Sequence, residues 1–298
     1  MDWKSKVNVE HILTPLSFTQ TTTTAFSANY LAQLGNDPVL RLSNLPEIIS
    51  SSVYNYLTST TNVNAVNVYY FNTSFEIGGN IAGAVMGAKT PYTKTLAGSY
   101  YAQFAKADID FRYSRKLSTG YYWANRVIIG ASLPYGNSAF LPFSRQYVIG
   151  GANSLRGFSI RDLGPGSALT TPFQKLYYPQ IGGDYKLEMN TEFRFPLMAP
   201  RINGALFVDA GNVWLKDTIL YSTTGQLTKG FLRQLGVDAG FGIRIDINIL
   251  ILRLDFAFPL AKPWLPEGQR WVLQQVAFGN SSWRNANLVF NLGLGYPF

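Results

Sequence analysis

The sequence predicts an all-β chain: a transmembrane antiparallel β-barrel, with about ten strands present of a larger barrel, short turns at one end and long loops at the other. Three observations predict it. Charged residues make up 14% of the 298 residues and aromatics 15%, whereas a soluble domain carries about a quarter charged residues. No apolar run reaches the ~18 residues that a helical span needs. Apolar and polar residues instead alternate over lengths of about 9–11 residues, enough to cross a bilayer as a tilted strand. A soluble sandwich can imitate the alternation, but rarely with so few charges. The mean hydropathy of +0.02 fits neither an ordinary soluble protein nor a helical membrane protein.

The elements follow in order. Met1–Lys6 leads into no apolar secretion segment, because Glu10 and His11 interrupt it. A natural N-terminus upstream of Met1 is therefore expected. Ala25–Leu34 suits a short amphipathic helix inside the first long loop, which lies near Gly35–Pro46. Tyr69, Phe71, Phe75 and Ile77 alternate with Asn72, Ser74 and Glu76. Ile109, Phe111, Tyr113 and Leu117 alternate with Asp108, Asp110, Arg112, Ser114 and Lys116. Leu187, Met189, Thr191, Phe193 and Phe195 alternate with Glu188, Asn190, Glu192 and Arg194. In Gln234–Asp246, Val237, Ala239, Phe241, Ile243 and Ile245 share one face, while Asp238, Gly240, Gly242 and Arg244 share the other. Leu250, Leu252, Leu254, Phe256 and Phe258 then point out, with Arg253 and Asp255 in. The last strand, expected over Asn287–Phe298, sends Leu288, Phe290, Leu292, Leu294, Tyr296 and Phe298 to one face. A Lys or Arg facing lipid at the midplane costs about 2–4 kcal/mol, so the polar faces must line a wet lumen.

Short turns fall near Thr58–Asn64, Lys116–Tyr121, Pro196–Ile202 and Asp246–Ile249. Long loops fall near Gly35–Pro46, Gly87–Gly98, Tyr135–Asp184, Trp214–Phe231 and Pro259–Arg284. Residues 1–298 read as one barrel domain, with no internal repeat beyond the hairpin.

The stretch Gly150-Gly151-Ala152-Asn153-Ser154-Leu155-Arg156-Gly157-Phe158 stands out in the longest loop. A cation there is flanked by glycines that permit φ > 0 or close backbone approach. Turned inward, Arg156 can hold a carboxylate bidentately. Glu192 is inward by parity. Asp209 must also face in, which puts Leu206, Val208 and Ala210 on lipid and Phe207 in the lumen. The plain alternative is an ordinary solvated loop arginine. For most other inward charges (Glu76, Asp108, Asp110, Arg112, Arg161, Arg194, Asp238, Arg244, Arg253, Asp255) a solvated inner wall is the expectation.

Composition excludes several chemistries. With 0 Cys, disulfides, zinc–thiolate sites and cysteine nucleophiles are out. The net charge of +8 is scattered, with no basic run; it suits loops facing an anionic lipid surface, and no nucleic-acid partner is expected. His11 is the only histidine and lies far in sequence from any acidic pair. No metal-ligand spacing occurs, and Gly78-Gly79-Asn80 and Gly182-Gly183-Asp184 lead into no helix pattern that would make a phosphate loop. No enzyme, cofactor or metal is expected.

Gly150–Phe158 resembles the arginine-bearing loop motif of the BamA/TamA family of outer-membrane assembly barrels, the bacterial surface antigen superfamily. Leu187–Pro196, Gly204–Trp214, Gly240–Arg244 and Leu252–Leu260 resemble, in order, the strands that follow that loop. The resemblance is strongest from Arg145 to Phe298. Tyr135-Gly136-Asn137 and Leu141-Pro142-Phe143 are similar to its TamL-like branch. It implies a loop folded into the lumen as a latch formed by Gly151, Leu155, Arg156, Gly157, Phe158, Glu192 and Asp209. It also implies a C-terminal assembly signal carried by Leu292, Leu294, Tyr296 and Phe298. The family barrel has about sixteen strands, so roughly six early strands and the periplasmic POTRA domains are expected to be missing here. Implied further are an outer-membrane location and insertion or translocation of client proteins without nucleotide, though not by this portion unaided. The partners implied are outer-membrane lipid, client proteins, and accessory lipoproteins or periplasmic subunits. A passive pore and a two-partner secretion transporter are the alternatives.

Overall fold

The computed structural model describes residues 1–6, 8–22, 44–62, 64–87, 90–168, 182–217 and 223–298. Among them, thirteen strands belong to one hydrogen-bonded sheet. They are β1 (Asp2–Lys6), β2 (Val9–Thr21), β3 (Glu47–Ser59), β4 (Asn67–Gly78), β5 (Thr95–Leu96), β6 (Ser99–Tyr101), β7 (Phe104–Ser118) and β8 (Tyr121–Pro134), then β9 (Tyr185–Met198), β10 (Ile202–Trp214), β11 (Gly236–Asp246), β12 (Ile251–Ala261) and β13 (Val289–Leu294). The described residues also include two short α-helices, α1 (Asn80–Met86) and α2 (Ser281–Asn287), and short 3-10 segments. No described helix is long and apolar enough to cross a membrane.

The chain divides into two compact units. The first holds Met1–Thr58, Asn72–Ile109 and Gly130–Gln146. Its core is Ile49, Ala102, Phe104 and Leu141. Asn137, fully buried, ties its loops: the side-chain amide donates to Lys94 O (2.9 Å) and Tyr101 O (3.0 Å) and accepts from the Thr93 and Lys94 N–H groups. Contrary to expectation, Gly78-Gly79-Asn80 does lead into a helix. Gly79 takes φ 71° against the Ala102 carbonyl, and α1 starts directly after it with no side-chain cap. At seven residues, with Gly83 inside it, α1 is too short to show a helical period in sequence.

The second unit holds Ser59–Phe71, Asp110–Ile129 and Tyr147–Phe298. Here β9 to β13 pair in sequence order, each neighbour antiparallel. The alternation read from sequence sets the faces: Leu206 and Phe241 are 54% and 48% exposed, whereas Glu192, Asp209 and Asp255 are fully buried. Stacked aromatics, Phe241 on Phe256 and Phe256 beside Phe290, run across the outer face. On the inner face the register sets like against like, Asp209 opposite Asp238 and Arg244 opposite Arg253.

The ten longer strands among the described residues are the about ten expected; β1, β5 and β6 are five, two and three residues long, too short to leave a period in sequence. The helix expected over Ala25–Leu34, like most of the Gly35–Pro46 loop, lies outside the described residues. The last strand is Val289–Leu294, not Asn287–Phe298. Asn280 caps α2 by accepting from Ser282 N and Trp283 N, which keeps Asn287 helical. Gly295 then turns to φ 77°, and Pro297 has no N–H to give a ladder.

Candidate functional site

The glycine-rich loop folds onto itself before it meets the sheet. Gly150 and Gly151 sit at φ 97° and 93°, a region that costs a non-glycine residue strain. Gly151 N donates to Phe158 O (2.8 Å), Phe158 N to Leu155 O (3.2 Å) and Arg161 N to Ile149 O (2.9 Å). The closed loop pushes Leu155 and Phe158 into an apolar cluster with Tyr147, Ile149, Leu163 and Val213. Phe158 meets Trp264 edge-on at 6.1 Å. Burying side chains of this size stabilises by roughly 1.5–3 kcal/mol each, so the seat is apolar as well as ionic. Gly157 lies flat on the sheet, where a Cβ would stand 2.5 Å from that of Asp238.

Between those anchors Arg156 points at the inner face, 1% exposed. Its Nε donates to Asp209 Oδ2 (2.8 Å) and Nη2 to Asp209 Oδ1 (3.0 Å), the bidentate arrangement. Nη1 donates to Glu192 Oε2 (2.5 Å), and the backbone N–H to Asp209 Oδ2 (3.3 Å). The guanidinium stacks 3.4 Å from the centroid of Phe207. Asn190 Nδ2 bridges Asp209 Oδ1 and Ser154 O, while Ser154 Oγ donates to Glu188 Oε2.

The cluster extends along the sheet. Arg244 donates to Glu192 Oε2 (2.9 Å) and Asp255 Oδ1 (2.5 Å), and Arg194 Nε to Glu192 Oε1 (2.7 Å). Arg253 Nη2 donates to Ala152 O and Asn153 Oδ1, both at 2.6 Å. Arg126 reaches Asn153 O (3.3 Å) while chelating Asp110, which Arg112 also holds. In the first unit, Glu76 pairs with Arg145 (3.0 Å) and accepts from Ser51.

A solvated inner wall was expected for these charges, and at Asp238, Arg244, Arg253 and Asp255 that is overturned: all four are 0–1% exposed. The physical reason is the loop, which covers them. Arg161 is a loop residue at φ 64°, not a wall residue. Sequence reading missed Arg126 as a partner of the loop, and Asn190 and Ser154 as its supports. Inward parity marks Asn190, but its partner depends on the path of the loop.

At the chain end, Leu292 and Leu294 lie on the outer face, 63% and 69% exposed. Tyr296 and Phe298 leave that row. Arg194 sits 4.1 Å from the Tyr296 ring centroid, and its Nη2 donates to Phe298 O (3.2 Å). His11, in the first unit, stacks on Trp3 (5.1 Å) and bonds the Tyr54 hydroxyl (2.8 Å).

Residues 14–298 match the Omp85 superfamily domain. The chain belongs to the Omp85 superfamily. Members of that superfamily are outer-membrane β-barrel proteins. Over 164 residues this Omp85 chain is 26% identical to the outer membrane protein assembly factor BamA of Neisseria meningitidis serogroup B, covering 49% of this chain and 20% of that protein. Its fold is similar to that of BamA from Haemophilus ducreyi lacking POTRA domains 1-3, with TM-score 0.56, 18% identity, and 87% of this chain and 49% of that one covered. It is also similar to CdiB from Escherichia coli, with TM-score 0.51, 14% identity, and 88% and 40% covered. At these identities the two structural likenesses are likenesses of fold. The chain spans about a fifth of the length of the BamA relative it matches.

Proposed function

We propose that this Omp85 chain is barrel wall of a protein that inserts or translocates client proteins at the outer membrane, and that residues 1–298 belong to one barrel domain. The observation that carries the reading is the buried seat of Arg156 on Glu192 and Asp209 in a chain of this superfamily. A loop seated on the inner face takes up space that a passive pore would leave to solute, and it braces a wall that must yield to clients. Leu155, Phe158, Gly151 and Gly157 shape the latch; Leu292, Leu294, Tyr296 and Phe298 form the terminal signal. The work needs no nucleotide, cofactor or catalytic side chain: seam opening and strand pairing supply it. Outer-membrane lipid and client proteins are the partners, with accessory lipoproteins or periplasmic subunits beside them.

The test is reconstitution of the full-length gene product in lipid vesicles with an unfolded client barrel. The expected result is faster appearance of heat-modifiable client than in empty vesicles. Unchanged client folding with a steady ohmic conductance would establish the passive pore instead. Transport of one dedicated secreted partner, without help to barrel clients, would favour the two-partner secretion reading.

A further inference from the structure

The ion-pair cluster accounts for β9 to β12. It does not account for a contact made by β13. On that strand Phe290, Leu292 and Leu294 face out, 55%, 63% and 69% exposed. Val289, Asn291 and Gly293 face in. Asn291 Nδ2 donates to Arg156 O at 2.9 Å. Gly293 stands opposite Arg253 in the β12–β13 register. A Cβ at Gly293 would come 2.6 Å from Arg253 Nη2 and 2.9 Å from its Nε. That same Nη2 holds Ala152 O and Asn153 Oδ1 of the loop. Nearer the start of the strand the two parts are held apart by a cavity of about 350 Å³, lined by Gly157, Phe158, Lys262, Trp264, Leu288 and Val289. Strand and loop therefore meet directly at Asn291, and through Arg253 at Gly293.

The β12–β13 ladder is short, six residue pairs against ten for β11–β12. In a short ladder each extra anchor weighs more, because fewer hydrogen bonds must open together. We infer that Asn291 and Gly293 are positioning residues that couple the last strand to the seated loop. Asn291 grips the loop backbone directly. Gly293 leaves the space in which Arg253 does so. Seating the loop holds β13 in register, and holding β13 tightens the loop. The coupling concerns the wall itself and stands apart from any client activity.

The experiment is hydrogen exchange of the membrane-inserted protein, read on loop amides of Gly151–Phe158 and on Val289–Leu294. Asn291→Ala is expected to speed exchange of the loop amides by about fivefold, as for one hydrogen bond lost. Gly293→Ala is expected to do the same by displacing Arg253. Leu206→Ala, an outward residue of β10 away from β13, leaves the loop unchanged. A second arm holds if the inward variants fail to fold. The chain has 0 Cys, so Phe256→Cys with Phe290→Cys, directly opposite in register, pins β13 from outside by one disulfide. Oxidation of that pair is expected to slow loop exchange, and reduction to restore it. Loop exchange that stays within about twofold in Asn291→Ala, or that ignores oxidation of the pair, overturns the inference.

Discussion

Removing the Arg156 guanidinium is the sharpest test of how the loop is held. Asp209 accepts from the Arg156 backbone N–H, Nε and Nη2, and from Asn190 Nδ2. In Arg156→Ala only Asn190 and the backbone N–H remain for a carboxylate with no exposure. Glu192 fares better, because Arg194 and Arg244 still bind it. The cost therefore concentrates at Asp209. Stranding one partner of a buried pair costs about 3–5 kcal/mol. The lost stacking on Phe207 adds about 0.5–2 kcal/mol. The expected loss is about 3.5–7 kcal/mol, read as a lower urea midpoint in micelles and as faster protease cleavage within Gly150–Phe158. Asp209→Asn on top of Arg156→Ala should return at least ~2 kcal/mol, because the stranded charge is gone. A single variant within about 1 kcal/mol of the native chain, or a double variant that merely adds the two losses, would refute the reasoning.

Other expectations follow from single contacts. Gly157→Ala pushes a Cβ to 2.5 Å from that of Asp238, and should cost about 1–3 kcal/mol in the same unfolding assay. Asn137→Ala removes the donor and acceptor that join Thr93, Lys94 and Tyr101; about 2–3 kcal/mol of local protection should vanish there, seen by hydrogen exchange, with Gly150–Phe158 unaffected. Arg194→Gln frees Tyr296 and Phe298 O while Glu192 keeps Arg156 and Arg244. Carboxypeptidase should then remove Phe298 faster, with a small change in unfolding midpoint.

What the sequence disclosed, and what it withheld, follows from the range of each interaction. Strict alternation in β11 and β12 is a local property, and it places Arg244, Arg253 and Asp255 on the inner face from sequence alone. Parity likewise puts Glu192 inside; Asp209 follows from the cost of a charge facing lipid, with Phe207 turned in beside it. Nothing local says that these charges are dry. That depends on a loop 36 residues away in sequence from Glu192; its glycines and cation mark the loop, while its fold into the lumen is what the family resemblance implies. Arg126 and Arg253 as holders of Asn153 were illegible for the same reason: partner choice is set by register and loop path. The early end of β13 was legible and missed. Gly295 and Pro297 punctuate it, and Asn280 announces the helix before it.

The like-against-like register of β10, β11 and β12 has a consequence in time. Asp209 faces Asp238 across one ladder, and Arg244 faces Arg253 across the next. Directly opposed like charges destabilise a strand pair. A bare β10–β11 hairpin therefore closes against its own repulsion, and the incoming Arg156 relieves it. The β10–β11 pairing is therefore expected to form more readily with the loop already seated than before it arrives.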